Sequence, residues 1–115
     1  MSPEFPLLFT VGHRVWSSSG PDDAHGNPVE VWAAPVQKRV YGWGAPHGSE
    51  PKLAGHDRVV VEVELMVPPD FRCSPRDRMV LEGTEFDVIG PVEMYDHNPF
   101  GWNPGGIVNL GRVDG

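Results

Sequence analysis

Short runs in which apolar and polar residues alternate one by one recur along the chain, and glycines and prolines punctuate them. The longest run free of both spans twelve residues, His56–Val67. Within it Val59, Val61, Val63, Leu65 and Val67 share one face of an extended chain. Glu62 and Glu64 share the other, and Val60 and Met66 leave that second face only half wet. On a helix the two glutamates would interrupt an apolar cylinder without forming a polar stripe, so the run predicts a strand. Every other run free of Gly and Pro is seven residues or shorter. Because a glycine costs ~1 kcal/mol and a proline ~3 in a helix interior, the pattern predicts almost no helix.

The same alternation predicts strands over 7–16, bent at Gly12, and over 29–32 and 36–41, either side of the Ala33–Pro35 break. Strands over 79–81 and 85–89 straddle a hairpin turn at Glu82-Gly83-Thr84. Segments 92–95 and 107–113 complete the set. About seven short strands with polar turns predict an all-β fold, a small closed or partly open β-barrel forming a single domain over 1–115. Closure would remove the exposed sheet edges that invite aggregation. The long Pro/Gly-rich loops fall at 17–28 and 42–57, lengths that in small domains usually signify function or disorder.

Composition narrows the function classes. Sixteen acids against nine bases give a formal charge of −7, which argues against a phosphate-gripping nucleic-acid binder. The single cysteine, Cys73, excludes an internal disulfide. The N-terminal MSPEFPLLFT has neither a basic n-region nor a long apolar stretch, so a secretory signal is not expected. No apolar run approaches the ~20 residues of a membrane-spanning helix. The expected setting is a reducing cytoplasm, with no membrane and no cofactor.

Candidate chemistry is thin. His13, His25, His47, His56 and His97 lack the i, i+4 spacing of a zinc protease and have no cysteine pairs to join them. Cys73 lies near Arg72 and Arg76, which would lower the pKa of a reactive thiol, but no histidine partner is near in sequence. The serines at 17–19 lack the glycines of a nucleophile elbow. Glu62 and Glu64 have the spacing of paired acids, and equally that of an ordinary exposed strand face. No catalytic or metal site is therefore expected, and the chain is expected not to be an enzyme.

What remains is aromatic. The stretch HNPFGWNPGG, 97–106, holds Phe100 and Trp102 among prolines and glycines, and YGWGAP presents Trp43 in the same way. Aromatics on stiffened loops lose little entropy on docking, which is how interfaces use them as anchors.

Over residues 58–115 the chain resembles the head-to-tail stopper (head-closure) proteins of long-tailed bacteriophages. The residues that carry the resemblance are Pro68–Asp70, Asp77-Arg78, Glu82-Gly83, Phe86/Val88/Gly90, Pro99–Trp102 and Val108–Gly115, in that order. The first half follows the family only in its order of strands and loops. The resemblance implies a non-enzymatic neck protein of the virion, assembled in the host cytoplasm. It implies a homo-oligomeric ring of six copies, twelve being the alternative, which closes or narrows the DNA channel after packaging. The portal or adaptor would lie above, the tail terminator or tail tube below, and DNA would pass without sequence-specific binding. The interface residues would be Trp43, Arg76, Arg78, Pro99, Phe100 and Trp102. The channel loop would present His47, Glu50, Lys52, His56 and Asp57. Arg72, Arg76 and Arg78 facing carboxylates on another side would supply complementary patches for the ring. A neighbouring neck component such as the tail terminator, and in a different class a small β-barrel enzyme with histidine-dependent chemistry, are the alternative readings.

Overall fold

A computed structural model of the chain describes residues 5–18, 26, 29–48 and 50–113. Most of the predicted 17–28 loop, including His25, lies outside the described residues. The described fold is all-β: strands and the turns between them, with no helix.

Twelve strand segments occur in chain order: β1 (Phe9–Arg14), β2 (Trp16–Ser17), β3 (Val31–Trp32), β4 (Val36–Val40), β5 (Gly42–Gly44), β6 (Leu53–Ala54), β7 (Val59–Val60), β8 (Val63–Val67), β9 (Arg78–Leu81), β10 (Thr84–Val88), β11 (Glu93–Met94) and β12 (Gly106–Arg112). Eight of them build one antiparallel sheet in the order β4-β1-β9-β10-β12-β8-β5, with β11 also paired to β12. β2 pairs with β3, and β6 with β7, as separate two-stranded ribbons.

Alternation decides which side chains enter the core. Val61, Leu65 and Val67 are buried while Glu62 and Met66 are exposed, as period two requires. Leu65 and Val67 join Val11, Val40, Phe71, Met79, Leu81, Val88, Val108 and Leu110 in one hydrophobic cluster. Burying side chains of this size contributes roughly 1.5–3 kcal/mol each. The β9–β10 hairpin turns through Glu82 (φ 50°) and Gly83 (φ 83°), both left-handed, the type I′ geometry whose twist matches the flanking strands.

Two expectations are corrected in detail. The first strand runs straight through Gly12 and breaks at Val15, because the Trp16 N–H donates to the Asp77 carboxylate (2.9 Å) instead of to a ladder carbonyl. The long run 56–67 is two strands, because its halves serve different partners: β7 pairs with β6, and β8 with β12 and β5. The large sheet is not found as a closed barrel. The sheet ends at β4 on one side and β5 on the other, although only Tyr41 separates these strands and its N–H donates to Met66 O (3.0 Å).

Candidate functional site

The aromatic loop between β11 and β12 is organised by a single side chain, Asn98. Its Oδ1 accepts the Phe100 N–H (2.8 Å), an Asx-turn. Its Nδ2 donates to Tyr95 O (2.5 Å) and Trp102 O (2.8 Å), drawing the two flanks together. Asn103 repeats the Asx-turn with the Gly105 N–H (2.9 Å), and the Tyr95 N–H closes the base on Gly105 O (2.9 Å). This hydrogen-bonded ring holds Phe100 outward, 78% exposed. Pro99 is exposed beside it, whereas Trp102 is half-buried with its ring 5.6 Å from that of Phe5. Phe5 also meets Tyr41 edge-on at 5.5 Å, and the Tyr41 hydroxyl donates to Pro104 O (2.9 Å). Trp43 is half-buried on β5, packed on the core and against Phe9 at 5.3 Å. Of the three sequence-predicted aromatics, Phe100 alone projects freely. Below the loop an apolar groove of about 460 Å³ runs between Phe5, Leu8, Met66 and Tyr95.

At the other end of β12 lies a larger cleft of about 760 Å³, lined by apolar and charged side chains together. Trp16 and Trp32, opposite one another on the β2–β3 ribbon, form part of its wall, and each carries a guanidinium over its ring. Arg78 sits 3.6 Å above Trp32 and is further held by Asp87 (2.9 Å) and Glu85 (3.4 Å). Arg76 lies 4.9 Å above Trp16, and Trp32 Nε1 donates to Arg76 O (2.7 Å). Arg14 ties Glu85 to the carbonyls of Trp32 (3.0 Å) and Ala33 (2.9 Å). The structure thus separates the predicted interface residues: Pro99, Phe100 and Trp102 at one end of β12, Arg76 and Arg78 at the other, Trp43 on the sheet between.

The predicted channel loop is also divided. Residues 53–60 form the β6–β7 ribbon, and its turn places His56 and Asp57 on the wall of the Trp16/Trp32 cleft. His47 and Glu50 are exposed. Lys52 bridges Glu64 (2.6 Å) and Glu93 (2.9 Å). Burial alone would lower its pKa, but those two carboxylates outweigh burial and raise it above the ordinary lysine value.

One buried polar knot was not anticipated. His13 Nε2 lies 2.7 Å from Asp77 Oδ2, both residues about 5% exposed or less. Asp77 also accepts the backbone N–H groups of Trp16 (2.9 Å) and Ser74 (3.0 Å). Burial would raise its carboxyl pKa; those N–H groups and His13 overcome it and hold the carboxyl below the ordinary value. With both oxygens engaged, the pair braces the strand break at Val15 against the 74–77 turn. Cys73, next to this turn, has its thiol pushed up to about 12 by burial and then by the Asp77 charge, the reverse of the lowering expected from Arg72 and Arg76. Among the described residues, no group of three or more His, Cys, Asp or Glu is placed to hold a metal. The sequence does carry signals for both missed hubs: an Asn-Pro turn pair at Asn98-Pro99, and Ser74-Pro75-Arg76-Asp77 as a turn closed by an acid.

No family model matches the chain, and neither a curated protein nor a solved structure matches it.

Proposed function

We propose that this chain is a structural, non-enzymatic neck protein of a long-tailed bacteriophage, a head-to-tail stopper. In this reading copies form a ring between portal or adaptor and tail, narrow the DNA channel after packaging and dock the tail. The observation that carries the reading is Phe100, a large apolar side chain held out on a loop that three Asn98 hydrogen bonds keep in shape. An exposed anchor on a pre-shaped loop is the arrangement that gives most binding for least ordering entropy. The order of motifs over 58–115 supplies the virion context. The charge of −7 suits a passage through which DNA slides without adhering. A barrel reading is supported by the sheet's terminal strands β4 and β5 being one run of chain, interrupted only at Tyr41. Of the channel loop, His47 and Glu50 are exposed away from the Trp16/Trp32 cleft, whereas His56 and Asp57 are exposed on its wall and Lys52 is tied to the sheet.

The test is complementation of a phage lacking this protein with the Phe100→Ala and Trp102→Ala variants. The expected result is a folded protein in both cases and filled heads without tails in electron micrographs. Wild-type titres from Phe100→Ala would refute the docking role of the loop.

A further inference from the structure

We infer that the ring contact runs head to tail, with the Phe100 loop of one copy seated in the Trp16/Trp32 cleft of the next. The inference rests on the ring reading proposed above and names the two surfaces that such a ring needs. Cyclic closure requires two different, mutually fitting patches on each copy, because one patch meeting itself gives a two-fold pair that stops at two. The loop ends at Gly105, where β12 begins, and the cleft wall includes Gly111 and Arg112, where β12 ends. At about 3.3 Å per residue the strand sets knob and cleft roughly 20 Å apart, at opposite ends of β12. The apolar groove beside Tyr95 and Pro104 is a poorer receptor for Phe100. It lies at the same end as the loop, so two copies could exchange loops there reciprocally and stop at a pair.

The chemistry of the cleft agrees with its occupant. The loop tip, Pro99-Phe100-Gly101, is uncharged, and about 760 Å³ bordered by two tryptophans accommodates an aromatic ring with its flanking backbone. Among the described residues, Asp96 at the base of the loop is engaged only by its exposed neighbour His97 (3.0 Å). Across the cleft, Arg76 and Arg112 have no carboxylate partner among the described residues. Glu30 and Asp57 on the same wall leave the cleft near neutral, so aromatic insertion supplies the contact and an Asp96–arginine pair fixes its register.

Disulfide trapping tests the geometry directly. Phe100→Cys and Asp57→Cys replace exposed side chains, so both variants should fold. Within one chain these positions lie at opposite ends of β12, beyond the Cα separation of about 4.4–6.8 Å that a disulfide spans. Cys73 is half-buried with its thiol pushed up to about 12, so it contributes little thiolate at neutral pH. Under oxidation the double variant should give a ladder of multimers, a mixture of the two single variants should give dimers, and each single variant alone should stay monomeric on a denaturing gel. Arg76→Glu should reduce the yield several-fold, and adding Asp96→Arg should restore it. Dimers from Phe100→Cys alone would overturn the inference in favour of a two-fold contact. Multimers by sedimentation without any disulfide would overturn this pairing while leaving the ring reading intact. A monomer by sedimentation at every concentration, with no trapped species, would overturn both.

Discussion

Asp77→Ala offers the sharpest test of how the cleft end of the molecule is held together. The carboxylate accepts from His13 Nε2 at 2.7 Å, from the Trp16 N–H at 2.9 Å and from the Ser74 N–H at 3.0 Å, at a site 4% exposed. Hydrogen bonds to a charged group contribute about 1.5–3 kcal/mol each, and a buried donor left unpaired costs about 1–3. These terms overlap, since the three donors share one carboxylate and water can reach part of the gap. A loss of roughly 3–5 kcal/mol is therefore expected, a large share of the ~5–15 kcal/mol that holds a domain. For a chain of this length that corresponds to a fall in Tm of about 12–20 °C, read by circular dichroism or tryptophan fluorescence. Asp77→Asn keeps one acceptor but turns an amide N–H₂ toward a donor, so it should fall by a smaller amount, about 2 kcal/mol.

The pH dependence follows from the direction of the shift. The Asp77 carboxyl titrates below its ordinary value of 3.8 in the folded chain, so folding favours its charged form. That stabilisation is fully present above the unfolded value and is lost as pH falls through the depressed folded value. The Tm gap between wild type and Asp77→Asn should stand at neutral pH and close only in strongly acidic solution. A gap below about 1 kcal/mol at neutral pH, or one that widens on acidification, would refute the reasoning.

Two further substitutions probe the loop. Asn98→Ala removes three hydrogen bonds at an accessible site, so it should cost only about 1–2 kcal/mol in global stability, yet abolish hydrogen-exchange protection of the Phe100 amide; retained protection would mean Asn98 does not shape the loop. Gly105→Ala places a methyl 2.0 Å from Val67 O at φ 115°, whereas Gly101 has open space around it. The first should lower Tm by the equivalent of roughly 3 kcal/mol or more and Gly101→Ala by about 1, and equal effects would count against the close β8 approach.

Local chemistry was legible and distant chemistry was not. Alternation in 59–67 named the buried face, because a strand sorts its side chains by parity whatever lies beyond. The β9–β10 hairpin was legible for the same reason, and counting back from its turn would also have set Asp87 opposite Arg78. That count shows Arg78 committed within its own chain rather than free for a neighbour. The Asp77 knot was hidden because its partner His13 lies 64 residues away, and no periodicity spans that distance. The ribbon inside 42–57 escaped because Leu53-Ala54 is too short to show alternation. Nor does any local pattern reveal that residues 36–44 serve both ends of one sheet, since β4 and β5 meet partners far apart in sequence.

Arg76 and Arg78, two residues apart and alike in sequence, have opposite uses in the fold. Arg78 begins β9, where the ladder brings Asp87 across from it, Glu85 within reach and Trp32 under its guanidinium. Reversing its charge would set a third acid beside two others, so a loss of assembly would report on the cleft's integrity as much as on any partner. Arg76 precedes the strand at φ 79° and rests on Trp16, with no carboxylate partner among the described residues. An exposed cation–aromatic stack of that kind contributes only about 0.5–1 kcal/mol. Its reversal leaves the internal ion pairs intact and changes the charge that the cleft presents outward. The start of β9 thus separates the two arginines, since Arg78 inside the ladder meets Asp87 and Glu85 while Arg76 just before it, like Arg112 on the same cleft wall, keeps its charge for the cleft.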